Sequence, residues 1–284
     1  MIESNKNSIS VFASAVSDRS YYLRLADNSL VMIDIGCVDL TNKFADYKAL
    51  FEAYLAELQS VCQSDVITVA ALIITHPHDD HMNFLEYIMK SEMKEKFRFK
   101  KIIRSFPPKT WVPQNNWEKP DYPTNMENLL HTIEGAEVIT PKRGDIFNFG
   151  GAEFEILLTA EDAPEDARDL NYFSMMLRQR VGDTTLLWTG DMSDSLSQKA
   201  IDLYGESLKC DILQVPHHGT PNGGTLEFYR LCNADVHLWT IAEQTFLDPD
   251  YMFACGKYPI PTAVYNMKVK SVFCRGEEPT EIKL

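Results

Sequence analysis

Residues 75–81 read THPHDDH, three histidines and two aspartates directly after the apolar run 69–74. A buried strand that stops in clustered imidazoles and carboxylates brings neutral nitrogen and anionic oxygen to one point, the donor set of Zn²⁺ and its neighbours. Histidine is scarce, at seven in 284 residues, yet His217 and His218 follow a second apolar run, 212–215. Five of the seven therefore stand at two strand ends, which scatter over polar loops does not produce. The spacing predicts a metalloenzyme.

The elements that must position these residues alternate between strand and helix. Residues 8–15, 21–25 and 30–35 read as strands, with a turn at 26–29 and Asp34 and Gly36 at the end of the third. Helical periodicity covers 41–62, with Phe44, Tyr47, Leu50, Phe51, Tyr54, Leu55 and Leu58 on one face. After the histidine motif a helix is expected from Met82 to about Lys94, capped by Asp79 or Asp80. A short helix at 125–133 carries His131, read as a helix histidine and not a ligand. The second half repeats the logic. Strands are expected at 136–140, 145–149, 154–159, 171–180 and 184–189, the last ending in Gly190 and Asp191. A helix at 193–203, a strand at 210–215, a helix from about Gly223 and strands at 235–240 and 271–274 follow. Two strand-rich halves with helices outside predict an α/β (α+β) fold of two sheets packed between helices.

Between these halves, 105–123 is rich in proline and aromatics and has no period. Such a connection reads as a lid insertion whose Phe106, Trp111, Trp117 and Tyr122 wall a pocket, or as cover for a core edge. The basic run Lys90, Lys94, Lys96, Arg98, Lys100, Lys101, Arg104 and Lys109 reads first as a solvated face.

Composition sets the outer limits. Lys and Arg number 27 and Asp and Glu 41, a net charge of −14, which repels polyanions and argues against a protein that coats extended nucleic acid. A small molecule or nucleotide remains open, because a bound dication reverses the local field. The N-terminus has no apolar signal core, and no stretch approaches the roughly 18 apolar residues of a membrane span. A single-domain cytoplasmic enzyme over 1–284, with no membrane partner, is the expectation. Cys37, Cys62, Cys210, Cys232, Cys255 and Cys274 lack C-x-x-C spacing and read as reduced core residues.

The order His76, His78, Asp80, His81, then Asp191 in TGD, then His217 in VPHHG resembles the metallo-β-lactamase superfamily, over nearly the whole chain. More narrowly, Asn171 and Ser174 ahead of LLWTGD and CDILQVPHHGT resemble the hydrolase domain of the competence protein ComEC and its soluble relatives. The resemblance implies a four-layer αββα sandwich and two divalent metal ions, Zn²⁺ first and Mn²⁺ as the alternative. Carried over residue by residue, it implies His76, His78 and Asp191 on one metal. Asp80, His81, Asp191 and His217 then hold the other, around a shared water that loses a proton and attacks. His76 and His78, two apart in an extended segment stiffened by Pro77, do point the same way.

Two departures stand out. The third histidine that many relatives place before the TGD strand is replaced here by Asp169, Leu170 and Asn171, a loss shared with ComEC-like proteins. Met82, Asn83 and Phe84 replace a glycine-containing turn, which is expected to narrow the pocket mouth. Adjacent strand residues face opposite sides, so only one of His217 and His218 is expected to bind metal. His218 is then the candidate general acid or oxyanion donor, beside Asp80 as the second catalytic candidate. Asp34 is expected to orient a ligand histidine. The resulting reading is a metal-dependent hydrolase of phosphodiesters in a nucleotide or short nucleic acid. Hydrolysis of a carboxylic ester, thioester or lactone is the alternative, and a non-catalytic metal-binding module the reading from another class.

Overall fold

The computed structural model describes residues 9–17, 19–38, 47–115, 118–248, 263–267, 269–274 and 278–284. Residues 41–46 of the first expected helix, Trp117 and Cys255 lie outside them. The expected hairpin is present, and its turn has a local cause. Asn28 takes the left-handed conformation (φ 64°), while Asp27 accepts hydrogen bonds from the Ser29 amide (3.0 Å) and hydroxyl (2.6 Å). Such side-chain bonds two residues on reverse a chain.

Strands β1 (Ser10–Ala13), β2 (Tyr21–Arg24) and β3 (Leu30–Ile33) pair antiparallel. Helix α1 (Tyr47–Cys62) crosses to β4 (Ile67–Ile74), parallel to β3. Helix α2 (Asp79–Lys90) leads to β5 (Phe97–Phe99) and β6 (Lys101–Arg104), both parallel to β4, and α3 (Tyr122–Leu130) leads to β7 (Glu137–Ile139) beside β6.

The second sheet runs in chain order. Strands β8 (Ile146–Phe149), β9 (Ala152–Leu158), β10 (Met176–Val181) and β11 (Thr184–Trp188) form an antiparallel meander. Helix α4 (Asp194–Tyr204) precedes β12 (Ile212–Gln214), α5 (Leu226–Cys232) precedes β13 (Val236–Ala242), and α6 (Glu243–Phe246) follows it. Strand β14 (Lys270–Cys274) is parallel to β13. It is not the last strand, as the sequence pattern suggested. β15 (Thr280–Lys283) returns to the first sheet, antiparallel to β1, and its short, mostly exposed TEIK segment carries too few apolar residues to announce a strand.

Strand alternation explains the layering. Leu30, Met32, Leu72 and Ile74 join Leu50, Phe51 and Tyr54 of α1 and Phe84 and Ile88 of α2 in one buried cluster. Their neighbours Val31, Ile33, Ala71 and Ile73 face the other way and meet Phe154, Ile156, Leu177 and Trp188 of the second sheet. A third cluster holds Leu187 and Leu213 against Leu196 of α4 and Phe228 of α5. The order helix, sheet, sheet, helix is the expected four-layer sandwich. Period-two patterning buried on both faces of a sheet requires such cover.

Some boundaries moved. Helix α2 begins at Asp79, not Met82, and stops at Lys90, where Ser91 turns the chain into the short 3₁₀ segment Glu92–Lys96 with its hydroxyl accepting from the Met93 amide. Lys90, Lys101 and Arg104 of the basic run pair with Glu86, Glu137 and Glu127. Cys37, Cys62, Cys210, Cys232 and Cys274 are buried, and burial pushes Cys62 up to about 12. Among the described residues, no helix is long and apolar enough to cross a membrane.

Candidate metal centre

The histidine motif is fixed by the strand beside it. Asp34 follows β3 in the left-handed conformation (φ 58°), which Asp tolerates better than most residues. One carboxylate oxygen accepts from the Thr75 amide (2.7 Å), and the other from the Thr75 hydroxyl and His81 Nδ1 (both 2.8 Å). Asp34 therefore ties the first residue of the motif to the last, and leaves His81 Nε2 free to face inward. The Ile35 amide donates to the His81 carbonyl (2.9 Å). A Cβ on Gly36 would stand 1.8 Å from the Asp80 carbonyl oxygen, so only glycine lets α2 start this close to β3.

The second sheet supplies the other wall. After β11 the chain turns through Gly190 (φ 53°), where a Cβ would meet Thr75 at 2.7 Å. The Gln214 side chain accepts from the Thr189 (3.0 Å) and Gly190 (3.2 Å) amides, and the Asp191 amide donates to Ser174 Oγ (3.2 Å). These bonds aim Asp191 at the motif. Its Oδ2 lies 3.0 Å from His218 Nε2, 3.3 Å from His81 Nε2, 3.8 Å from His76 Nε2 and 4.0 Å from His217 Nε2. Four histidines surround one carboxylate oxygen.

Two donor groups emerge: His76, His81 and Asp191, and Asp80, His81 and His218. His81 and His218 bring their Nε2 atoms within 3.3 Å, and His76 Nε2 stands 2.9 Å from His78 Nδ1. A tetrahedral Zn²⁺ with ligands at about 2.1 Å would set its donors about 3.4 Å apart. Buried ring nitrogens facing one another, together with an Asp191 Oδ1 that has no hydrogen-bond partner among the described residues, suit cations. The donor set fits the expected metals.

The two adjacent histidines depart from simple alternation. His217 (φ 52°) and His218 (φ 57°) are both left-handed, so the chain curls and brings both rings toward Asp191. His218 is the better placed for a metal: its side chain is 5% exposed against 25% for His217, and Thr240 Oγ1 holds its Nδ1 at 2.7 Å. His217 Nδ1 faces the Pro221 carbonyl at 3.1 Å, and its Nε2 lies 3.4 Å from Asn171 Nδ2. Asn171 thus faces His217 at the edge of the centre.

Electrostatics reinforce the geometry. Burial works against charge on Asp80, but His81, Arg19 and His218 outweigh it and hold the carboxyl below its ordinary range. Burial opposes the charge on Asp191 too, and His218 and His81 overcome it. For His81, burial disfavours the cation, yet Asp191, Asp80 and Asp34 raise its pKa well above the usual value. Burial drives His76 down, and burial with the Arg19 charge pushes His218 down to about 4. Charge is thus favoured on His81 and disfavoured on His76 and His218, beside a set of carboxylates. A metal ion on His81 would take the place of a proton there.

Three contributors had no signal in the sequence. Buried Arg19 donates to Asp80 Oδ2 (2.9 Å) and to the Thr240 carbonyl (2.8 Å). Glu118 accepts from His78 Nε2 (2.9 Å). Thr240 lies inside an apolar strand run, like many core threonines. Two expectations also change. Met82 and Phe84 are fully buried in the helix-side core, and Asn83 clamps the backbone of Cys37 at 2.9 and 2.7 Å, so they fasten α2 and do not narrow a mouth. Phe106 and Trp111 line a hollow of ≈ 200 Å³ whose wall holds none of the centre's residues. Tyr122 borders a hollow of ≈ 50 Å³ with His78 and Glu118. His131 is exposed and bonds Glu127 (3.1 Å).

Known proteins bear out the resemblance. The chain superposes on the metallo-β-lactamase fold protein YhfI from Bacillus subtilis with a TM-score of 0.57 and 13% identity, covering 98% of this chain and 100% of that one. This chain has the metallo-β-lactamase fold. In sequence it is similar to ComE operon protein 3 of Bacillus subtilis, 28% identical over 162 residues, 56% of this chain and 18% of the relative. It is also similar to the zinc phosphodiesterase ELAC protein 2 homolog of Caenorhabditis elegans, 27% identical over 120 residues, 42% of this chain and 13% of that protein. The matched part is less than a fifth of either relative's length. No known family profile matches the chain.

Proposed function

We propose that this chain is a metal-dependent hydrolase that cleaves a phosphodiester in a nucleotide or short nucleic acid, with two divalent ions, Zn²⁺ first and Mn²⁺ as the alternative. The observation that carries this reading is Asp191 Oδ2, which the histidines of both donor groups, His76, His81 and His218, approach within 3.0 to 3.8 Å. One ion would be held by His76, His78 and Asp191, the other by Asp80, His81, His218 and Asp191. Held by these residues, two such ions would supply an acidified water and polarisation of the scissile group.

The remaining work falls to the chain itself. Asp34 and Thr240 fix the Nδ1 atoms of His81 and His218, so that both Nε2 atoms face the centre. Arg19 offsets the charge of Asp80 and holds its carboxylate in place. His217, more exposed and not held in the tight donor group, is placed to exchange a proton with a leaving group. This assignment exchanges the roles that strand alternation suggested for His217 and His218. The name of the Caenorhabditis elegans relative supports a phosphodiester, and the net charge of −14, with Lys90, Lys101 and Arg104 of the basic run paired to glutamates, supports a short substrate over an extended polyanion.

The test is turnover of an activated phosphodiester, bis(p-nitrophenyl) phosphate, by protein stripped with chelator and reloaded with Zn²⁺ or Mn²⁺. The same preparations are offered an aryl ester, a thioester and a lactone. Diester cleavage that needs metal and disappears in a folded Asp191→Ala variant is expected. Faster cleavage of an acyl substrate would move the reading to the ester, thioester or lactone class. Metal binding with no turnover of any substrate would leave a binding module.

A further inference from the structure

The irregular connection after β6 reaches into the centre through one buried charge. Glu118 Oε1 accepts from His78 Nε2 (2.9 Å) and from the Leu170 amide (2.8 Å), while Oε2 is buried without a hydrogen-bond partner among the described residues. The same connection is stapled to the stretch 167–173 around Leu170. Gln114 donates its amide to the Arg168 carbonyl (3.0 Å), Trp111 Nε1 donates to the Ala167 carbonyl (3.2 Å), and the Trp111 ring packs edge-on against Phe173 at 4.9 Å. That segment in turn reaches Asp191 through Ser174. Glu118 is thus where the connection, the 170–174 segment and the histidine motif meet.

We propose that Glu118 is a positioning residue that couples metal binding at His76 and His78 to docking of the 105–115 and 118–123 segments. The inference rests on the two-metal reading above. A carboxylate only accepts hydrogen bonds, so Glu118 holds a proton on His78 Nε2 and keeps Nδ1 as the atom that faces His76. Without a cation, that arrangement sets two ring nitrogens 2.9 Å apart beside a half-satisfied buried carboxylate. With a cation on Nδ1, the His78 ring becomes more positive, its Nε2–H a stronger donor, and the burial of Glu118 better compensated. Metal and connection therefore favour one another, and by linkage each must strengthen the other equally.

Hydrogen exchange across 105–123, followed by mass spectrometry on chelator-treated and Zn²⁺-loaded protein, reads this directly. Loading should slow exchange in the 105–115 peptides of the unmodified chain by about tenfold or more, in line with the strength of outer-partner effects on metal sites. Glu118→Gln should remove most of that protection and weaken one ion by about 10 to 100-fold, leaving the other unchanged in a chelator competition. Equal exchange with and without metal in the unmodified chain would overturn the proposal, as would an unaltered pair of affinities in Glu118→Gln. The unmodified comparison decides even where a variant misfolds. Turnover is not read, so a protein that couples metal to the connection but hydrolyses nothing would sink only the proposed activity.

Discussion

The two halves of the centre are supported by different kinds of structure. Asp80, His81 and His218 are braced from behind by groups on or beside strands: Arg19 ahead of β2, Asp34 after β3 and Thr240 within β13. His78 is braced by Glu118, which belongs to an irregular connection. A ligand whose partner is fixed by a sheet ladder stays in place whether or not a metal is present. One braced by a loop must order that loop as part of binding, and the ordering entropy weakens the site. The Asp80, His81 and His218 position is therefore expected to bind the tighter ion, and His76 with His78 the exchangeable one.

The sharpest break of this comparison uses the adjacent histidines. His218→Ala removes a ring of the strand-braced half and should weaken its ion by more than about 100-fold, beyond the range of outer partners. The tighter of two ions would then be missing after gel filtration and elemental analysis. His217→Ala should keep both ions and lose turnover only. If His217→Ala instead strips an ion while His218→Ala retains two, the assignment of the halves is reversed.

A smaller effect tests the brace itself. Asp34→Asn keeps the shape but replaces one acceptor oxygen by a donor, so either Thr75 or His81 loses its partner. The tight ion should weaken by about 10 to 100-fold, with the exchangeable ion changed far less. A chelator competition that finds both ions weakened equally would show that Asp34 supports the whole strand end and not His81 alone.

How far the sequence reveals this centre depends on how local each cause is. THPHDDH stands out because its donors are consecutive and histidine is scarce, and the four layers are visible because period-two runs alternate with helical ones. That His217 and His218 both turn toward Asp191 was hidden, since it rests on two successive left-handed residues that no alternation rule anticipates. Arg19 lies 61 residues from the aspartate it holds, and Glu118 lies 40 from its histidine. Each sits in a segment without periodicity, so nothing local marks it as part of a site. The same holds for β15, whose Glu281 meets Ser10 across 271 residues. Asp34 was legible because a carboxylate at a strand end beside a histidine motif has few other uses.

The smallest effect expected is a difference in protons. The carboxylates around His81 raise it well above the ordinary imidazole value, and the Glu118 hydrogen bond with the nearby carboxylates raises His78 against the effect of burial. His76 and His218 are lowered, so near neutral pH they are neutral before any metal arrives. An ion entering either half must therefore displace a proton from one ring, about one per ion. The sign follows: affinity rises with pH while that ring is protonated in the metal-free protein, and levels off once pH passes its raised value. Because His81 is raised further than His78, proton release with the loop-braced ion should fade at lower pH than release with the strand-braced one. Calorimetric titration in buffers of different ionisation heat measures both. Asp34→Asn removes one of the charges that raise His81, and should bring the two fading points closer together. Should they instead stay where they are, the proton is held by Asp191 and Asp80 alone, and Asp34 acts on the centre only through the orientation of the ring.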